Sequence, residues 1–401
     1  MTALAGSGRR RTMVMLAANI VAVSLIVVLL VYGRDALGQY TAAKRADSGL
    51  PIDSVPSTPT ALFATVDSAN QLTSLSIFVL APSLRGGSIV SVPVNIDSTQ
   101  AIGDQRTPFS AAYSAGGAPG LLVAVESTLG LTLDYSSVAG PAQSALMLGA
   151  VAPLDVDLPR TVVSDSSGST QVVFNRGPRS MSAAEAVQVL DSRSSTVEES
   201  ARTPNIEALW SAVSVSVGEG RPSDSVGPSV SSFADLTAHL FAGRVGTRGL
   251  ALSPFPPDTP GLTGDLAMLD RSEEVLVFAS IAPGAMSAPA NGLSFRVIAP
   301  PGYEARVKFA IDVLLYAGHN VISVDLTATK QDKTEMYIYD QSVKATTDLL
   351  TPSFGNFSYG TPKSQMQGIN ATLVLGADFL DQNTPVASPE TFASTTDAAV
   401  G

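Results

Sequence analysis

A chain of 401 residues is long enough for two domains beside a membrane segment. Its 24 Lys and Arg against 35 Asp and Glu leave a formal net charge of −11, which argues against the clustered basic surface that nucleic-acid binding needs. The absence of cysteine excludes a disulfide framework, thiolate catalysis and Cys-ligated metals.

In chain order, residues 1–12 form a short tail with Arg9, Arg10 and Arg11, followed by a 20-residue uncharged run, 13–32. A helix needs ~20 such residues to cross a bilayer core, and a cleavable signal has only ~7–15. The reading is a signal anchor, with Ala36-Leu37-Gly38 leaving cleavage as the alternative. The arginine triplet places the N-terminus in the cytoplasm, against Arg34, Lys44 and Arg45 on the far side, and the rest of this single-pass chain outside the cell membrane.

Residues 33–60 read as a polar stalk. Two strands follow, "LTSLSIFVLA" and "GGSIVSVPV", turned at Arg85-Gly86-Gly87. "APGLLVAVESTLGL" predicts a helix with Pro119 near its start and Gly130 as its stop. "APLDVDLP" alternates as a strand, and "SAAEAVQVLDSRS" predicts a helix capped by Ser182 with Ala186 and Val189 inward. "NIEALWSAV" continues helically, and its Trp210 is expected to pack in a core. Residues 281–291 have linker composition. Beyond them come a strand "LSFRVIA", a helix "YEARVKFAIDVLLYAGH" ending at Gly318, strands "NVISVDL" and "TEMYIYD", a helix "QSVKATTDLL" and a last strand "INATLVLG". Residues 381–401 read as a disordered tail. The fold class is α/β with α+β-like layers: a domain over 61–280, then a small second one over 292–380 that is expected to fold alone.

The usual chemistries are thin. His239 and His319 are the only histidines, and both are expected as surface residues, His319 just past a helix end that favours a cation. Asp155 and Asp157 share one strand face that suits a cation, although strand-end aspartates are commoner than metal sites. There is no phosphate-binding loop with its lysine and no zinc spacing.

Several stretches, read in order, resemble the LytR-CpsA-Psr family of cell-wall glycopolymer transferases. "FSAAYSAGGAPGLLVAVESTLGLTLDYSSVAGPAQSALMLGAVAPLDVDLPRTVV" and "FNRGPRSMSAAEAVQVLDSRS" carry the resemblance over 61–280. "LSFRVIAPPGYEARVKFAIDVLLYAGHNVISVDL" through "INATLVLGADF" is similar to the LytR C-terminal domain that follows in many actinobacterial members, with Ala299 and Pro300 where the family has Asn-Gly. The resemblance implies a hydrophobic pocket for a polyprenyl-pyrophosphate-linked glycan. It also implies Mg²⁺ and a ring of arginines and aspartates that neutralise the phosphates during transfer to peptidoglycan.

On this resemblance the family's charged positions fall on Thr73, Val94, Asn95, Asp191 and Glu199, all altered, and only Arg193 and Arg202 remain as phosphate-binding candidates. Two unit charges ~4 Å apart interact by about 4 kcal/mol at an effective dielectric near 20, so one Arg-to-acid reversal beside a pyrophosphate is severe. The reading is an envelope-assembly protein with a degenerate site: a pseudoenzyme that binds or scaffolds, with no confident catalytic residue. Expected partners are the membrane, a polyprenyl-phosphate lipid, and cell-wall polymer or envelope proteins. The alternative is an active phosphotransferase using Mg²⁺, Arg193, Arg202 and either Arg85 or Arg106.

Overall fold

The structure is a computed structural model that describes residues 50–98, 106–166, 168–221, 226–253, 255, 259, 265–287 and 291–382. The expected tail at 1–12, anchor at 13–32, most of the stalk and nearly all of the C-terminal tail lie outside the described residues. Among the described residues no helix is long and apolar enough to cross a membrane.

The first unit is built on strands β1 (Thr60–Val66), β2 (Leu72–Leu80), β3 (Gly87–Val92), β4 (Tyr135–Ala139) and, later in the chain, β9 (Val245–Gly249). They form one mixed sheet in the order β9-β3-β2-β1-β4, antiparallel where the chain turns tightly and parallel at both flanks. Strands β1 and β2 are buried along their whole length, so apolar side chains alternate between two covered faces. One face, with Leu62, Leu75, Ile77 and Val90, packs under helix α1 (Phe109–Leu129). The other, with Phe63, Phe78 and Ile89, packs under α2 (Pro141–Gly149), α3 (Ala183–Asp191), α4 (Glu199–Val217) and α5 (Phe233–Phe241). Hairpins β5 (Leu154–Leu158) with β8 (Gly177–Met181), and β6 (Val162–Ser166) with β7 (Ser169–Phe174), flank the helices.

Local chemistry sets the helix ends. In α1, Gly117 leaves helical geometry at φ 59 and ψ −154, so Pro119 opens a second half, and Gly130 at φ 55 ends it. Ser182 and Glu185 form a capping box at the start of α3, and Ala186 and Val189 face inward. Trp210 is buried edge-on against Phe63 and Phe78, with Phe233 stacked on both phenylalanines. These four rings fill the space between sheet and helix layer.

The second unit has the sheet β11 (Asn320–Asp325), β10 (Ser294–Ile298), β14 (Ala371–Val374), β12 (Glu335–Ile338), β13 (Ser358–Tyr359), in that spatial order. Helix α7 (Glu304–Tyr316) buries Val307, Ala310, Ile311 and Leu314 against it, and Gly318 at φ 79 turns the chain into β11. The expected helix over 341–350 is a short 3₁₀ turn, Gln341–Val343, and one α turn, Lys344–Asp348.

Helix α6 (Arg271–Ile281) joins the units. Its Val277 and Phe278 sit in the core of the first, and its Val275, Leu276 and Ala279 in the core of the second. A cut at residue 292 therefore removes one wall of the second core.

Both histidines depart from the surface expectation. His239 is 2% exposed, its Nδ1 2.6 Å from the Leu84 carbonyl oxygen, because the Arg85–Gly87 turn folds over α5. His319 turns back from the helix end onto the Phe295 ring at 5.4 Å, and its Nδ1 accepts from the Leu293 N–H at 3.3 Å. Burial holds its pKa down, against the preference for a cation that a helix terminus gives.

Candidate functional site

Three chain segments meet where β2 begins. The last residues of α3 bring Asp191 and Ser192, the first turn of α4 brings Glu199 and Arg202, and β2 brings Leu72 and Thr73. The i, i+3 spacing of Glu199 and Arg202 sets their side chains side by side on the helix. Nη1 of Arg202 donates to both oxygens of Glu199, at 2.8 and 2.9 Å. Nη2 donates to the Thr73 carbonyl at 2.6 Å and the Leu190 carbonyl at 2.5 Å, and Nε to the Ser192 carbonyl at 2.6 Å. A guanidinium has five N–H donors, and here five acceptor oxygens of the same chain receive them. Burial draws the Arg202 pKa down while Glu199 opposes the shift.

The neighbours are tied in as well. Thr73 Oγ1 lies 3.1 Å from Asp191 Oδ1 and 2.7 Å from Thr65 Oγ1. Burial raises the Asp191 pKa to about 6, against the opposing Thr73 hydrogen bond and Arg202 charge. The Glu199 N–H donates to Asp265 Oδ2, and the Asp265 carbonyl accepts from Asn95 Nδ2 at 2.5 Å. Thr73, Asn95, Asp191, Glu199 and Arg202 thus belong to one network. Val94 does not join it: its side chain is fully buried in the apolar core under α1. Asp265 was not legible as a member, because it joins from a loop 66 residues beyond Glu199 with no motif around it.

Arg193 is the exception among the cations. It is exposed, uses Nη1 on the Leu72 carbonyl at 3.0 Å, and lines an open depression of about 500 Å³ with Gln71, Ser110 and Ser114. Arg106 is ion-paired to Asp97 at 2.6 Å, and Arg85 lies at the β2–β3 turn, at the opposite end of these strands from Thr73. Neither joins Arg202. Asp155 and Asp157 do share the exposed face of β5, facing Ser180 and Pro178 of β8, and among the described residues no three His, Asp or Glu side chains group as a metal site would require. The network fits Mg²⁺ poorly. Both Glu199 oxygens are on Arg202, Asp265 Oδ2 is on the Glu199 amide, and Asp191 holds its proton to higher pH than an ordinary aspartate.

What the arrangement does chemically is hold α3, α4 and β2 together through a neutralised, desolvated ion pair. It presents no row of free cations.

No protein-family profile matches the chain, and no curated protein matches it. Solved structures do. They include TagV of B. subtilis, 16% identical, covering 55% of this chain and 94% of that one with a TM-score of 0.40. TagT bound to LIIa-WTA is 16% identical over 55% of this chain and 88% of that one, with a TM-score of 0.39. The LytR-CPS2A-psr family protein YwtF (TagT) with bound octaprenyl pyrophosphate lipid is 14% identical over 54% and 86%, with a TM-score of 0.37. No residue role follows from overlaps of this extent.

Proposed function

We propose that this chain is a membrane-anchored, extracytoplasmic protein of cell-envelope assembly whose former phosphate-handling site has become a structural ion pair. It binds or scaffolds and does not transfer glycan. The sequence resemblance over 61–280 supports the family context, and the uncharged run at 13–32 supports the anchor. One observation carries the loss of catalysis: the Arg202 donors are used within its own chain, with Glu199 as internal counter-ion. Phosphoryl transfer depends on cations aimed at the charge that develops on the leaving phosphate. Arg193 alone faces solvent here, and a single exposed guanidinium gives weak, salt-sensitive contact with a phosphate.

The test is glycan transfer and pyrophosphate release from a prenyl-pyrophosphate donor by the full chain with Mg²⁺ added. We expect no turnover. Robust turnover that disappears in Arg193→Ala would show a working transferase and overturn the reading. Mass spectrometry of lipid co-purifying with the protein tests the partner: a prenyl phosphate supports lipid binding, and its absence leaves a scaffold for envelope proteins.

A further inference from the structure

The second unit contains a buried arginine of a different kind. Its sheet changes winding direction at β10: the chain leaves through α7 to β11 on one side, while β14 lies on the other, and all three strands run parallel. In open α/β sheets the crevice beyond the carboxyl ends of strands at such a switch is where ligands bind. Here the crevice is closed. The Ala377 N–H donates to the Gln331 carbonyl at 2.8 Å, and Gly376 lies so close to Lys333 that an added Cβ would sit 2.2 Å from its backbone carbon.

Arg306, in the first turn of α7, lies under this closure and is 7% exposed. Nη2 donates to the Phe379 carbonyl at 2.6 Å, whereas Nε and Nη1 are buried with no hydrogen-bond partner. The guanidinium lies over the rings of Phe379 at 4.7 Å and Phe309 at 5.4 Å. Ring faces attract a cation but do not replace the oxygen acceptors that buried N–H groups require. A second cation shares the same cover. Lys330 Nζ is bonded to both Asp381 oxygens, at 2.9 and 2.8 Å, and to Tyr303 Oη at 2.6 Å. The segment 377–382, comprising α8 (Ala377–Leu380) and the two residues after it, therefore does two things. Its Phe379 seals Arg306, and its Asp381 places an internal carboxylate on Lys330.

We propose that the crevice at the ends of β10 and β14 is an oxyanion site, closed by residues 377–382, in which Arg306 and Lys330 receive a phosphate or carboxylate group when that segment opens. The guanidinium fork supplies donors in the geometry such groups accept, and Lys330 supplies a mobile point charge. Asp381 is then the internal competitor, and its removal favours the open, ligand-bearing form.

The experiment is calorimetric titration of the full chain, in detergent, with inorganic phosphate and separately with acetate. Asp381→Ala is expected to tighten phosphate binding about threefold, the release of one exposed ion pair. Arg306→Met is expected to abolish it in both backgrounds. Hydrogen exchange across 377–382 should rise in Asp381→Ala and rise further when phosphate is added, because the ligand draws the segment toward the open form. Acetate that competes with phosphate assigns the site to carboxylates as well, and acetate that does not compete restricts it to phosphates. An Asp381→Ala protein that binds neither anion, or binds phosphate no more tightly than wild type, overturns the proposal. That readout is a gain, so it stands even if Arg306→Met fails to fold.

Discussion

Arg202 and Arg306 are buried to nearly the same degree, 8% and 7% exposed, and their surroundings are opposite. Arg202 has a carboxylate and three carbonyls arranged around it; Arg306 has one carbonyl and two aromatic rings. The difference shows that equal burial can leave an arginine saturated or short of acceptors, and the proposed oxyanion site rests on the second condition. A saturated guanidinium is already neutralised and has no donor to offer a ligand. An unsaturated one is a standing electrostatic cost that a bound oxyanion removes.

The sharpest way to break this comparison is to remove each arginine's surroundings in turn. Glu199→Gln leaves a desolvated cation without its counter-ion and should cost about 3–5 kcal/mol of stability in urea denaturation. Arg306→Met removes a charge that has no carboxylate partner, and should be neutral or stabilising by about 1 kcal/mol. Equal losses for the two variants would erase the distinction.

A buried acid tests the same logic with the opposite sign. Glu274 on α6 is fully buried between the units; one oxygen accepts from Arg271 at 2.6 Å and the other has no partner. Burial pushes its pKa up to about 8, against the opposing charge of Arg271. The folded state therefore holds a proton that the unfolded chain releases above its ordinary value of 4.5. Stability from this group is fully present below about pH 4.5 and is lost as pH rises through about 8. The loss is on the order of a few kcal/mol. Glu274→Gln should flatten that fall, read as denaturation midpoints at pH 5 and pH 9.

The smallest effect is expected at Arg193, which is exposed and holds one main-chain carbonyl. Arg193→Ala should change stability by less than about 0.5 kcal/mol. In binding assays it should remove the salt-sensitive component of anion contact at the first unit. A large loss of stability would mean that Arg193 belongs with Arg202 as a structural group.

Much of this molecule was legible before folding was considered. Alternation in "SLSIFVL" and "SIVSV" fixed two strands with covered faces, because successive strand residues point to opposite sides. Ser182 with Glu185, and Gly130, marked helix ends through bonds that span only a few residues. The pairing of Glu199 with Arg202 was not legible in this way, because α4 begins at Glu199, ahead of the stretch "NIEALWSAV" that reads as helical. The tertiary structure decided what spacing could not. It set Val94 in an apolar core, turned both histidines inward and made α6 a wall of two cores. It also brought the carbonyl of Thr73 to Arg202 across 129 residues and left Arg306 with Phe379 across 73. Periodicity and caps are short-range and can be read from neighbours in the chain. Whether a buried charge finds enough oxygen atoms depends on backbone brought from distant segments, and packing alone determines that.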